Sequence, residues 1–373
     1  MCLFVIDNLR KKLRVTAMKK KLTFLSVLLL MLAAGVLLVF WEHSLPAAPA
    51  SVDAPLSVVF LDVGQGDAAL VGFRGHWMLI DGGGRESSQK IYAVLKQRNI
   101  THLDMVIASH PHEDHIGGLS AAFQLADAER VLCPVETYNS KSFENLSRYA
   151  REKSTGITVP APGDVYTLGE AKVEIVGMND GPTENARSLL VKVTYKNVSF
   201  LLPGDLEAEF VDPAWKLSST VLKVSHHGSY NGTSKEQLCQ VSPKYAVISL
   251  GAGNPYGMPH ESTLNLLKEY CQNVYRTDLQ GDITFTSDGN TLWVETTKTA
   301  STQKLFTPGS GQAAEETAAV RSDGYILNTS SKVFHLPSCT STEKMKDSNK
   351  LYSSEPRESL ISAGYKPCGN CKP

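Results

Sequence analysis

The chain has 373 residues, of which 42% are apolar, with 37 lysines and arginines against 38 aspartates and glutamates. This length accommodates one large domain with its own core plus a smaller appendage, and the composition is ordinary for a globular protein. Seven of the basic residues (Arg10, Lys11, Lys12, Arg14, Lys19, Lys20 and Lys21) come before residue 22, leaving 30 basic against 36 acidic residues from Ser51 onward. That balance excludes strong unaided gripping of nucleic acid, although metal ions could supply the positive charge at a scissile phosphate.

In chain order, residues 22–41 form an apolar run behind a lysine cluster, long enough to cross a bilayer as a helix, with the lysines placing the N-terminus inside. Ala48-Pro49-Ala50 has the small-x-small form of a signal-peptidase site; cleavage and retention as an anchor are both compatible with this, and the length of the run favours retention. From residue 51 to 298, short β-rich runs alternate with helical patterns. Strands are expected at 57–63, 68–73 and 76–81, followed by helical spacing through Ile91, Val94 and Leu95, and a strand at 103–108. Further strands fall at 172–176, 189–195, 198–202, 220–224, 245–250 and 291–294, with helices near 144–151, 207–210 and 262–270. Two sheets with helices outside is the economical packing for this α/β mixture. Residues 299–320 lose apolar periodicity and read as a linker to a small unit at 321–373. Cys133, Cys239 and Cys271 are odd in number and scattered, and read as buried thiols rather than a disulfide framework.

The most specific stretch is Ser109-His110-Pro111-His112-Glu113-Asp114-His115-Ile116-Gly117-Gly118, which follows an apolar strand. Imidazole and carboxylate together suit Zn²⁺ and related divalent ions, and one turn can aim His110 and His112 at one ion while Asp114 and His115 face a second. Four more fragments place metal-type side chains just beyond strands: Asp81 before three glycines, Asp205 after Pro203-Gly204, the pair His226-His227, and His260. His110, His112 and Asp205 are expected to hold one ion; Asp114, His115, Asp205 and a later histidine, one of His226, His227 and His260, hold the other. Two such ions would acidify a shared water toward neutral pH. Asp114 and His227 are the expected catalytic groups, His227 as donor of a proton to the leaving group, with Asp81 in a supporting role.

These residues, together with Leu61-Asp62-Val63-Gly64-Gln65-Gly66-Asp67-Ala68, the run 223–229, Asn254-Pro255-Tyr256-Gly257 and Tyr275-Arg276-Thr277-Asp278, resemble the metallo-β-lactamase fold. More narrowly they look like the hydrolase domain that ends ComEC-type DNA-uptake competence proteins. The resemblance covers about residues 56–295 and implies an αββα sandwich whose relatives are linked to cleavage of DNA phosphodiesters outside the cell. Most such enzymes supply a third histidine to the first ion; here residues 185–190 offer only Asn185 and Ser188, which implies a loosely held ion, Mn²⁺ or a single-metal state. Competence-type hydrolases also commonly carry histidine where this chain has Met258. Their multi-helix channel has no counterpart in this sequence, so import of DNA by this chain alone is not expected.

In the C-terminal unit, His335 and Cys339 are followed after 28 residues by Cys368 and Cys371. Four ligands in two close pairs are typical of a closed structural zinc site, which would supply much of the folding energy of so small a unit. The unit resembles the Ada-type metal-binding domain through Tyr325, Asn328, residues 334–339 and Ala363-Gly364-Tyr365-Lys366-Pro367-Cys368. That family can take a methyl group onto its first cysteine. His335 stands at that position, so the resemblance implies the zinc fold without the transfer chemistry. The charge of residues 321–373, 8 basic against 5 acidic, gives mild support to contact with DNA. The leading expectation is an exported, membrane-anchored, metal-dependent hydrolase of phosphodiesters, most readily DNA. The alternatives are hydrolysis of a small ester or envelope phosphodiester, and a non-catalytic surface protein that binds DNA or assembles with partners.

Overall fold

The computed structural model describes residues 54–309 except 155, and residues 325–371 except 337, 338, 343, 347, 348, 354–356, 363 and 370. The apolar run at 22–41 and the Ala48-Pro49-Ala50 site lie outside these residues; among the described residues no helix is long and apolar enough to cross a membrane.

The first sheet is built from β1 (Leu56–Phe60), β2 (Ala69–Phe73), β3 (His76–Ile80), β4 (His102–Ile107), β5 (Asp127–Leu132) and β6 (Ile157–Thr158). The second contains β7 (Val165–Leu168), β8 (Ala171–Gly177), β9 (Leu190–Tyr195), β10 (Val198–Leu202), β11 (Val221–Lys223), β12 (Tyr245–Ile248) and β13 (Asn273–Arg276). The chain then returns to the first sheet as β14 (Ile283–Ser287) and β15 (Leu292–Thr296), giving the orders β15-β14-β1-β2-β3-β4-β5-β6 and β13-β12-β11-β10-β9-β8-β7. Antiparallel hairpins β1-β2-β3 and β7-β8-β9-β10 give way to parallel pairs β3-β4-β5 and β10-β11-β12-β13.

Period-2 alternation decides which side chains meet. Leu56, Val58 and Phe60 of β1, Met105 and Ile107 of β4, and Val198, Phe200 and Leu202 of β10 point into one core between the sheets. Val59, Leu103 and Val106 point outward onto Ile91, Leu95 and Leu146, which belong to helices Ser88–Gln97 and Lys141–Lys153. On the opposite side, Leu201 and Leu222 pack against Leu238, Leu264 and Leu267 of helices Lys235–Val241 and Glu261–Tyr270. The result is the expected four-layer helix-sheet-sheet-helix sandwich. Because both faces of the central strands are covered, those strands read as nearly continuous apolar runs.

The stretch read as the start of a linker is ordered as far as residue 309. A one-turn helix, Thr302–Leu305, buries Leu305, and the guanidinium of Arg276 donates to the carbonyls of Leu305 (3.3 Å) and Thr307 while pairing with Asp278 at 2.7 Å. Polar composition hid this segment because its anchor is a buried arginine rather than its own apolar residues. The three scattered cysteines are unpaired as expected, but only Cys133 and Cys271 are buried and Cys239 is exposed.

Residues 325–371 form a separate small sheet in the order β18 (Lys350–Ser353), β16 (Tyr325–Asn328), β17 (Val333–His335) and β19 (Lys366–Pro367). Its apolar core consists of Leu327, Phe334, Leu360 and Tyr365.

Candidate active site

Most side chains of the cleft come from loops that leave the C-terminal ends of strands, and Lys223 sits at the end of β11 itself. β3 ends at Asp81, β4 at the loop 109–115, β10 at Asp205, β11 at the turn carrying His226 and His227, and β12 at Ser249. Asp81 adopts a left-handed conformation with φ 57°, which a short polar side chain tolerates. From there its carboxylate accepts the backbone N–H and the hydroxyl of Ser109, both at 2.7 Å, and its Oδ2 lies 2.9 Å from Nδ1 of His115. It therefore fixes the start of the histidine loop and the orientation of one imidazole, the supporting role expected of it.

Gly66 makes a second necessary close approach, since a Cβ there would lie 2.2 Å from the carbonyl oxygen of Asp114. Its neighbour Asp67 donates its backbone N–H to that oxygen at 3.1 Å, which ties the Gly-Gln-Gly loop to the histidine loop.

The donor atoms of Asp114, His115, Asp205 and His227 lie within 4.8 Å of one another. Their focus is Oδ2 of Asp205, which is 3.3 Å from Nε2 of His115, 3.4 Å from Nε2 of His227, 3.8 Å from Nε2 of His226 and 3.9 Å from Nε2 of His110. The Nε2 atoms of His115 and His227 are buried and have no hydrogen-bond partner. Unpartnered buried polar atoms are costly unless something binds them. Two imidazole nitrogens and two carboxylates converging on one point fit a divalent cation. The opposite ring nitrogens are already engaged, His115 Nδ1 by Asp81 and His227 Nδ1 by the carbonyl of Ser249 at 2.9 Å. This leaves each Nε2 facing the ion position, the usual outer-shell arrangement of histidine ligands.

Of the histidine pair, His227, the expected proton donor, belongs to the four-donor cluster, and His226 lies just outside it. Both residues are left-handed, at φ 49° and 53°. Two consecutive side-chain-bearing residues in that region cost on the order of 1–2 kcal/mol each, strain of the kind that gathers at functional sites. His260 is also not brought into the cluster. It stands at the cap position of helix Glu261–Tyr270, where its Nδ1 accepts the N–H of Tyr230 at 3.1 Å.

His110 and His112 face each other, Nε2 to Nδ1, at 3.0 Å. Ser188, fully buried in the region that lacks a third histidine, accepts the N–H of Asp205 at 3.4 Å, and the buried Oδ1 of Asn185 has no partner. Nε2 of His110 lies 3.9 Å from Oδ2 of Asp205, but His110, His112 and Asp205 are not drawn into one group of donors within 4.8 Å, so the first expected ion position is less closely assembled than the four-donor cluster.

Electrostatics sharpen the site. Burial opposes charge on His115, yet Asp205 and Asp81 outweigh it and raise this imidazole well above its ordinary value; Asp205 and Asp67 do the same for His227. Burial would raise Asp205, but His227, His115 and His226 hold it well below the usual carboxylate range. Burial, with His115 adding to it, keeps His110 well below the ordinary histidine value, and burial likewise lowers His226.

Sequence reasoning missed Asp67 and Lys223 as site residues. Lys223 is 2% exposed, contacts Oδ2 of Asp67 and donates to the carbonyl of Gly204 at 3.1 Å. A lysine in the otherwise apolar run Val221-Leu222-Lys223-Val224 was the available signal, because lysine is almost never fully buried unless paired.

In the C-terminal unit, the donor atoms of His335, Cys339, Cys368 and Cys371 also lie within 4.8 Å of one another, and Nδ1 of His335 is buried without a partner. Burial raises the Cys371 thiol to about 11, with the neighbouring Cys339 and Cys368 adding to it, and lowers the His335 imidazole. Three crowded thiols and one imidazole fit a thiolate-binding metal ion.

A family model described as "Metallo-beta-lactamase superfamily" matches residues 61–252, just over half of the chain. The chain is 30% identical over 253 residues to "ComE operon protein 3" of Bacillus subtilis, which covers 61% of this chain and 32% of that protein. It is 29% identical over 235 residues to "Recombination protein 2" of Haemophilus influenzae, covering 60% of this chain and 28% of that protein. The chain thus spans about a third of the length of these curated relatives. The metallo-beta-lactamase fold protein YhfI from Bacillus subtilis superposes with a TM-score of 0.40 at 14% identity, covering 64% of this chain and 99% of that one.

Proposed function

This chain belongs to the metallo-beta-lactamase superfamily, and from that premise we propose that it is an exported, metal-dependent phosphodiesterase whose substrate is DNA. The observation that carries this reading is the convergence of Asp114, His115, Asp205 and His227, with two buried imidazole nitrogens left bare toward one point. Divalent ions bound there supply Lewis acidity and lower the pKa of water. The chain's own residues do the rest. Asp81 and the Ser249 carbonyl hold the Nδ1 protons of His115 and His227 and so keep each Nε2 available. Asp205, whose Oδ2 is approached by His115, His227 and His110, would be the carboxylate that two ions share. Burial lowers the His226 imidazole, so its Nε2 can take the proton given up by the attacking water and pass it to the leaving oxygen.

DNA as the substrate is supported by likeness to a protein whose name refers to recombination. The acidic balance after residue 51 is consistent with this only if bound ions carry the phosphate contact. Export and anchoring follow from residues 22–41, and a structural zinc in the C-terminal unit follows from its Cys/His cluster.

The test is hydrolysis by the full chain, loaded with Mn²⁺ or Zn²⁺, of single-stranded DNA, double-stranded DNA and bis-p-nitrophenyl phosphate. Metal-dependent DNA cleavage is expected. Activity on the small diester alone would favour an envelope or small-ester substrate, and tight DNA binding without turnover would leave a binding or assembly protein.

A further inference from the structure

The two oxygens of Asp205 face opposite environments. Oδ2 meets the imidazoles, whereas Oδ1 accepts no hydrogen bond and lies 3.8 Å from the ammonium of Lys223. That ammonium is anchored by Asp67, whose own Oδ1 is 3.3 Å from Nδ1 of His227. Asp67, Asp81 and His115 also form a second group of donors within 4.8 Å, but Lys223 already occupies the Asp67 side of it with a fixed positive charge.

We propose that the buried Asp67–Lys223 pair sets how many divalent ions the cleft holds, with Lys223 acting as an internal cation that weakens the ion on the His110–His112 side. The two ion positions are unequal in charge. The four-donor cluster has two carboxylates, Asp114 and Asp205, while the His110–His112 side has two imidazoles and only Asp205. An ammonium beside the other oxygen of that one carboxylate offsets much of its negative charge, and in a buried site such an effect is large. The isolated protein therefore holds one ion firmly at Asp114, His115, Asp205 and His227. The second is held weakly. Lys223 and Asp67 are positioning residues: they act through Asp205 rather than on the substrate.

This inference rests on the metal-site reading above, and the two fail differently. The full chain, with its cysteine cluster pre-loaded with zinc, is titrated with Mn²⁺ by calorimetry, and electron paramagnetic resonance separates isolated from exchange-coupled Mn²⁺. The wild type is expected to show isolated Mn²⁺ at one equivalent and a second affinity at least about 100-fold weaker. Lys223→Met removes the cation and is expected to tighten the second ion about tenfold or more, so that coupled Mn²⁺ appears near two equivalents. Asp67→Asn leaves the ammonium uncompensated and is expected to weaken both ions. Opposite signs for the two variants are the signature, because a purely structural role would weaken binding in both. If Lys223→Met does not fold, as judged by circular dichroism, Lys223→Gln keeps a donor for Gly204 and carries the same expectation. Equal affinities in the wild type, or loss of affinity in both variants, overturns the role of the pair. No Mn²⁺ uptake at all overturns the metal site itself.

Discussion

Metal loading of the four-donor cluster should release two protons per ion, and the count comes directly from the ring contacts. In His115, Nδ1 lies 2.9 Å from Asp81 and Nε2 3.3 Å from Asp205; in His227, Nδ1 lies 2.9 Å from the Ser249 carbonyl and Nε2 3.3 Å from Asp114. Every ring nitrogen thus faces an acceptor. The neighbouring carboxylates outweigh burial and raise both imidazoles well above the ordinary histidine value, which favours a proton on both nitrogens of each metal-free ring. An ion needs both Nε2 atoms bare. Asp114 and Asp205 are held below the usual carboxylate range by the same histidines and release nothing further. Two protons exchanged per ion make affinity rise about 100-fold per pH unit while the free rings stay protonated. Calorimetry with Mn²⁺ in two buffers of different ionisation enthalpy at pH 7 measures the number directly, and Mn²⁺ is chosen because thiolates hold it poorly. Release of less than about one proton, or affinity independent of pH, would refute the argument. The linkage also has a sign for folding. A histidine raised in the folded state stabilises below its unfolded value, and that contribution is lost as pH climbs through the folded one. Metal-free protein should therefore lose melting temperature as pH is raised from about 6.5, whereas loaded protein should not.

Three further outcomes follow from the geometry. His227→Ala should abolish tight Mn²⁺ binding and lower turnover about 1,000-fold, whereas His226→Ala should retain the ion and lose about 10- to 100-fold, most on substrates with poor leaving groups; paired metal titrations and rates check this. Cys368→Ser should release the C-terminal metal and expose residues 325–371 to proteolysis while hydrolysis of a small diester persists, since the apolar core of that unit, among the described residues, is small. Arg276→Ala should leave the Asp278 carboxylate and the carbonyls of Leu305 and Thr307 without their cation, costing about 3 kcal/mol in a denaturant titration and loosening residues 301–309 to hydrogen exchange.

The limit of sequence reading in this chain lies between side-chain type and side-chain direction. The sandwich was legible because strands covered on both faces are largely apolar, as β1 and β10 are. β5 was hidden by Asp127, Glu129 and Arg130, whose outward side is exposed. β14 alternates Ile283 and Phe285 with threonines, a pattern that only its pairing with β1 makes plain. The His/Asp loop was legible because six residues carry four ligand-type groups. The division of labour between His226 and His227 was not, because it depends on two successive left-handed residues that turn one ring into the cluster and leave the other beside it. His260 has the right chemistry, but its Nδ1 is taken by the N–H of Tyr230. Asp67 and Lys223 stand 156 positions apart and look like a turn carboxylate and a strand lysine until the two sheets bring them together. A carboxylate's charge at such a site is fixed by what stands on its far side, and for Asp205 that is a lysine which only the three-dimensional arrangement pairs with it.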